Sequence, residues 1–404
     1  MYCRAVVLSL VGSLAMCSVS LASSGFVVTY QGAKASGMAD AFVAQANDPS
    51  ANYYNPAGLA SLEGNQFSLG MILANQNKWE FRGQVKNPDT GTYAEGSAGA
   101  RNNILVAPHF YFAHNFGNGL ATGLGVTASY PLSVAWSPSS SLARYSKENN
   151  MLPLTINPNI AYKLKDYGLS FGAGFNYTYV IASQEMLYSA AQTGSVPLYG
   201  RAEVTGGGWG YNLGLKWEPL DYLSFGATYR GKMHIDMSGD LSATTTALSS
   251  GSSWTGLPSS HVNTSVNLPA MTVIGAAVKP TKDLVVEFDA QFTEFSSYIS
   301  PTGTWKDVWA YRLGGQYSLN KNWDLRAGYA FDNNPIADSK VGPNLPDSDR
   351  HTVTAGFGYH NDRWAFDMSV GNMNCTNRTV DNDIQKGSYR LNVPFAQTTV
   401  TMKF

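Results

Sequence analysis

The chain has 404 residues, of which 14% are charged and 12% aromatic, and its formal net charge is -1. It has no basic or acidic run and so no electrostatic footprint for nucleic acid, and beyond residue 22 nothing reaches the roughly 18 unbroken apolar residues of a membrane helix. The length would suit two or more soluble domains, but an exported, charge-poor, aromatic-rich chain without such a helix points to a transmembrane β-barrel.

Export is read from the first residues. Arg4 precedes the uncharged run AVVLSLVGSLAMCSVSLA, which closes on Ser20-Leu21-Ala22, so residues 1–22 read as a secretory signal peptide. Lipidation of Cys17 is disfavoured by the bulk of Met16 before it. Cleavage after Ala22 leaves Cys375 as the remaining cysteine and no internal disulfide, so stability must come from packing and backbone hydrogen bonding.

Residues 23–63 are irregular and apolar. They include Gly32, Gly37, the stretch AKASGMADAFVAQA and, at 52–62, NYYNPAGLASL. Asn55 precedes Pro56, which biases its backbone away from the helical region, and Pro56 has no N–H. No regular element runs through Asn55-Pro56-Ala57-Gly58, and Phe26, Met38, Phe42, Val43 and Leu59 need cover.

Residues 64–404 alternate with period two. About fourteen strands are expected, near 65–80, 104–115, 119–132, 152–165, 168–183, 207–218, 222–234, 269–280, 283–296, 309–319, 322–332, 350–360, 363–372 and 389–404. In 168–181, Leu169, Phe171, Phe175, Tyr177, Tyr179 and Ile181 point one way, and Ser170, Gly172, Gly174, Asn176 and Thr178 the other. This is lipid outside and a wet lumen inside. In 284–293 and 323–332 the charges Glu287, Asp289, Asp324, Arg326 and Asp332 fall on the lumen face, where they escape the cost of about 2–4 kcal/mol for Arg or Lys against lipid near the midplane.

The connections alternate too. FGNG, KDYG, EPLD, PTKD, LNKN and HNDR are turns, whereas 184–206 and 234–268 are long. Short turns at one end and long loops at the other mark an outer-membrane barrel. The chain ends TTVTMKF with Phe404 terminal, resembling a barrel-insertion signal. The outward phase reads as slipping between Phe395 and Phe404, so a bulge is expected near Pro394.

A barrel of about fourteen strands is too wide for its own wall side chains to fill, which makes residues 23–63 a plug. The Gly-rich start, Asn55-Pro56-Ala57-Gly58-Leu59, the strand number and the terminal Phe together resemble the FadL/TodX family of outer-membrane transporters for hydrophobic compounds. Trp323-Asp324-Leu325-Arg326-Ala327-Gly328-Tyr329, Asp332-Asn333-Asn334-Pro335 and Pro346-Asp347-Ser348-Asp349-Arg350 resemble its late-strand signature. The resemblance implies a luminal hatch, with Asn55, Pro56, Ala57 and Gly58 near the wall, and a third strand broken to leave a side window. Tyr130, Pro131 and Leu132 match that feature, since Pro131 lacks a ladder donor; the alternative is that Pro131 simply ends its strand.

Met186, Leu187, Leu198, Trp254 and Leu257 in the long loops suggest a greasy capture surface, or loop-on-loop packing. A fatty acid needs an apolar tunnel and a cation for its carboxylate. Alternation turns Arg230, Lys232, Arg312, Arg326 and Arg350 inward; most are expected to pair with Glu287, Asp289, Asp324, Asp332 or Asp349. The six histidines form no metal-spaced pair, and His109 is the one mid-strand candidate for a phospholipase-like Ser–His pair. Gly123-x-Gly125-x-x-Ala128 lies inside a strand and is no dinucleotide site.

The expectation is therefore a monomeric barrel in the outer membrane of a Gram-negative bacterium, contacting outer-membrane lipid. It is read as no enzyme, with no cofactor, metal or nucleic acid. It would admit hydrophobic small molecules passively, long-chain fatty acids first, by loop capture, hatch gating and lateral exit. Aromatic hydrocarbon uptake and a general polar porin are the alternatives.

Overall fold

The computed structural model describes residues 29–75, 79–101, 104–129, 132–137, 139–188, 198–245, 260–297, 299–300, 303–344 and 346–404. The expected signal peptide, residues 1–22, lies outside them.

Fourteen staves form one closed antiparallel barrel. They are β1 (Asn65–Asn75), β2 (Ile104–Asn115), β3 (Leu120–Thr127, resuming at Leu132–Ala135), β4 (Glu148–Leu164), β5 (Leu169–Tyr188), β6 (Leu198–Leu220), β7 (Leu223–Arg230, resuming at Met233–Thr245), β8 (Ser260–Leu268 and Met271–Thr281), β9 (Leu284–Thr293), β10 (Val308–Ser318), β11 (Trp323–Asp332), β12 (Arg350–His360), β13 (Trp364–Cys375) and β14 (Asn392–Lys403). Each pairs with its chain neighbour, and β14 pairs with β1 from Gln66↔Lys403 to Ala74↔Phe395. Closure pairs the first stave with the last, as the hydrocarbon layer requires because it offers no hydrogen bonds to a free edge.

Side-chain phase follows the alternation. Leu69, Phe171, Trp209, Leu213, Phe288, Tyr329 and Val400 are exposed on the outer face, while Ser68, Ser170, Asn176, Glu287, Asp289 and Arg326 are buried inside. Phe404 is exposed in the outward phase, and Asn65 and Phe404 exchange backbone hydrogen bonds across the seam (3.0 and 2.9 Å).

Four expectations are corrected. β14 keeps an unbroken register with β13 through Asn372↔Pro394 and with β1 as far as Ala74↔Phe395; Phe395 faces inward, its ring 4.7 Å from Tyr30, so no bulge is needed. Lys232 is exposed and does not face the lumen, because β7 breaks between Arg230 and Met233 and its inner phase passes from even to odd residues. Met186, Leu187 and Leu198 are strand residues, paired Met186↔Gly200, Leu187↔Tyr199 and Tyr188↔Leu198, so they extend the β5–β6 ladder and are not loop. Trp254 and Leu257 lie outside the described residues.

The fourth correction is an element that period-two reading left as loop. The β1–β2 and β13–β14 connections together form a four-stranded sheet, in the order Arg378–Asp381, Gln385–Arg390, Glu80–Lys86, Tyr93–Gly99. Its inner face, with Phe81, Val85, Ala98 and Tyr389, joins an apolar cluster with Trp136, Leu142 and Val341 at the loop end of the barrel. Trp136 Nε1 donates to Pro343 O at 2.7 Å, so the buried indole is satisfied.

Candidate functional site

Residues 29–63 occupy the lumen. They carry three short helical turns, Ala33–Ser36, Ala51–Tyr54 and Pro56–Ser61, and nearly every side chain is buried. Asn55 fixes this plug to the wall. Its backbone is extended, as the following proline demands, and its Oδ1 accepts from Ala57 N (3.1 Å), capping the last turn. Its Nδ2 donates to Val43 O (2.8 Å) and to Leu215 O of β6 (2.9 Å). One side chain thus ties two plug segments to the barrel.

The wall makes room with glycine. A Cβ on Gly172 would stand 2.4 Å from Ala57 N and Pro56 C, and one on Gly214 would stand 2.3 Å from Asn55 Oδ1. Gly172→Ala is accordingly expected to weaken plug docking by about 1–3 kcal/mol through overpacking, read as increased ion leak across planar bilayers. A polar ladder continues beside the glycines. Asn159 Nδ2 donates to Asn52 Oδ1 (3.0 Å), Asn212 Nδ2 to Asn159 Oδ1 (3.0 Å), and Asn157 Nδ2 to Asn212 Oδ1 (2.9 Å).

The inward arginines separate into two kinds. Arg312 pairs with Asp332 (3.2 Å), and Arg326 with both Asp367 (2.6 Å) and Asp324 (3.2 Å). Arg350 pairs with Asp347 (2.9 Å), not Asp349, whose Oδ1 accepts from Asn334 N. Asp347 sits in the β11–β12 loop, where burial pushes its carboxyl up to about 6 against the pull of Arg350 and Arg378. Arg230 pairs with no carboxylate among the described residues. It donates to Tyr53 O (3.1 Å) and lies over the Tyr53 ring, 4.7 Å from its centre.

Glu287 and Asp289 do not pair with arginine as expected. Asp289 Oδ2 accepts from Phe42 N and Val43 N, and Glu287 from Ala44 N and Gln45 N. His109 is buried in the lumen with Nε2 2.9 Å from Thr399 Oγ1, and so is no part of an exposed Ser–His pair.

A small cleft, with about 450 Å³ of empty space when the open solvent at its mouth is included, lies between the plug and staves β7 to β10. Thr29, Asp40, Tyr53 and Tyr54 line it from the plug, and Arg230, Met271, Val273, Asp289 and Arg312 from the wall. Toward the loop end the lumen becomes apolar: Ile72, Met151, Val180, Val204, Ile235 and Val266 are inward-facing and belong to the cluster that reaches the cap sheet.

The wall itself is interrupted. β2 pairs with β1 along its whole length, but with β3 only from His109↔Thr127 to Asn115↔Ala121. Contact resumes beyond the break at Ala100↔Trp136. Between these points the described residues of β2 and β3 form no ladder pair, and Ala128 O instead accepts from Gln31 Nε2 of the plug (3.3 Å). Tyr130 and Pro131 lie outside the described residues, whereas Leu132 opens the second half of β3.

A fourteen-stranded barrel whose lumen is filled by its own amino-terminal segment defines a plugged outer-membrane channel. The chain belongs to the outer membrane protein transport protein family (OMPP1/FadL/TodX), whose model matches residues 14–402. It is 24% identical over 347 residues to the long-chain fatty acid transport protein of Escherichia coli O6:H1, covering 76% of each chain. Among solved structures, a Pseudomonas aeruginosa FadL homologue superposes with TM-score 0.82 at 19% identity, covering 94% of this chain and 100% of that one. The toluene transporter TodX of P. putida gives 0.69 at 18%, covering 92% and 98%. The chain is therefore a Gram-negative outer-membrane transporter of hydrophobic compounds and not an enzyme.

Proposed function

We propose that this chain takes up long-chain fatty acids by passive diffusion. An acyl chain enters beneath the cap sheet, occupies the apolar upper lumen, and places its carboxylate at Arg230 in the cavity beside the plug. It then leaves sideways between β2 and β3, near Tyr130, Pro131 and Leu132, when the plug shifts as a hatch. Lateral exit keeps the acyl chain out of water, which would cost about 0.8 kcal/mol per methylene.

The observation that carries this reading is Arg230. Arg312, Arg326 and Arg350 are committed to carboxylates of the chain, whereas Arg230 holds a carbonyl and an aromatic face at the edge of a cavity below an apolar lining. A neutral hydrocarbon needs no such cation, and a polar porin needs no apolar lining. The similarity to a fatty acid transport protein supports the same reading, and the similarity to a toluene transporter keeps hydrocarbons as the comparison ligand.

Arg230→Gln is expected to weaken oleate binding by roughly ten- to hundredfold, the worth of a charge-assisted hydrogen bond, and to leave toluene binding unchanged. Toluene binding without saturable oleate binding by the parent protein would move the assignment to aromatic hydrocarbons.

A further inference from the structure

Residues 42 to 45 of the plug present four consecutive backbone N–H groups to one stave. Phe42 N and Val43 N reach Asp289 Oδ2 at 2.8 and 3.1 Å. Ala44 N reaches Glu287 Oε1 at 2.6 Å and Gln45 N reaches Glu287 Oε2 at 3.2 Å. The two carboxylates stand two residues apart on β9, which puts both on its inner face. They are 0% and 1% exposed, and neither makes an ion pair among the described residues. Segment 42–45 belongs to no helix or strand, so these carboxylates satisfy N–H groups that would otherwise be buried without acceptors.

Asp289 has a second aspect. Its Oδ1 accepts from no N–H group among the described residues, and it lines the same cavity as Arg230, Arg312 and Val43. The place where an anionic head group would sit is thus continuous with the bonds that hold the plug.

We propose that Glu287 and Asp289 are the latch that holds the plug closed, and that a ligand carboxylate in the adjoining cavity releases it by taking over the N–H groups of Phe42 and Val43 from Asp289. This rests on the fatty-acid reading above. One carboxylate acceptor replaces another, so no N–H is orphaned during the exchange, and the freed Asp289 side chain stays beside Arg312. A neutral aromatic ligand has no acceptor to exchange. The latch therefore opens for an acid and stays shut for a hydrocarbon.

The test uses the chain from Ser23 onward, with Cys375→Ser and Gln45→Cys so that position 45 carries its one thiol, refolded in vesicles, and follows the rate at which a membrane-impermeant maleimide reacts there. Oleate should accelerate labelling by about tenfold or more and toluene should not. Asp289→Asn and Glu287→Gln, which keep size and remove charge, should label quickly without ligand, and Asp289→Asn should gain nothing further from oleate. Asp367→Asn removes a lumen carboxylate that holds Arg326 and touches no plug N–H; it should label at the parental rate. Heat-modified electrophoretic mobility confirms a closed barrel for each variant.

Parental labelling rates in both latch variants, equal acceleration by toluene, or equally fast labelling of Asp367→Asn would overturn the latch. Oleate uptake is measured separately. If the parent shows no saturable uptake, the fatty-acid reading itself fails. Uptake together with an unaltered Asp289→Asn rate removes the latch alone.

Discussion

Asn55→Ala should raise the open fraction of the plug by about a hundredfold or more. The substitution removes two donations, to Val43 O and Leu215 O, and the acceptor for Ala57 N. A buried polar group left without its partner costs about 1–3 kcal/mol. Three such losses sum to at least about 3 kcal/mol, and each 1.4 kcal/mol is a factor of ten. Alanine also fits the space without strain, so the barrel should still close. Single-channel recording in planar bilayers reads the result as ion leak in a protein that otherwise conducts little. Asn55→Asp retains the acceptor for Ala57 N and loses both donations, so it should leak as well. Parental conductance in both variants would mean that Asn55 caps a turn and holds nothing.

The barrel was legible in the sequence because its physics is local. A strand with lipid on one side and water or plug on the other must alternate, and Phe171, Phe175 and Ile181 against Ser170, Asn176 and Thr178 display that without any tertiary information. The plug was legible by elimination, from a lumen too wide to fill and apolar residues with nowhere else to go. Its bonds were not. Nothing in the sequence around Phe42 says that its N–H meets Asp289, 247 residues away, and charge-counting assigned that carboxylate to an arginine because backbone donors carry no letter.

The misplaced details have similar causes. Lys232 was turned inward by extrapolating a phase that the break after Arg230 resets. The expected slip between Phe395 and Phe404 assumed that both aromatics face outward, although the even phase of Ala396, Thr398, Val400 and Met402 already leaves Phe395 inside. The cap sheet was missed because Glu80–Lys86 and Gln385–Arg390 find each other across 300 residues of chain, which no local pattern reports. A signal did exist in Phe81 and Val85, which alternate with Glu80, Arg82 and Gln84.

Arg326→Met should be the most destabilising of the arginine substitutions. Arg326 is 5% exposed and reaches three groups: Asp367 at 2.6 Å, Asp324 at 3.2 Å and Gln316 Oε1 at 2.8 Å. Methionine fills much of the same volume but takes the guanidinium away from the buried carboxylates of Asp324 and Asp367, and breaking a buried pair in this way costs about 3–5 kcal/mol. A Cβ on Gly37 of the plug would lie 3.3 Å from Arg326 Cβ, so the damage reaches plug and wall together. Urea unfolding of the protein in lipid vesicles should show a clear fall in the midpoint. Arg230→Gln, by contrast, abandons a carbonyl and a ring face and no carboxylate, and should keep nearly parental stability while losing oleate. Adding Asp367→Asn to Arg326→Met should recover part of the loss, because one of the two carboxylate charges is removed. If the double variant is no more stable than Arg326→Met, the cost lies in packing and not in charge. If Arg230→Gln proves as destabilising as Arg326→Met, the division between structural and ligand-facing arginines falls with it.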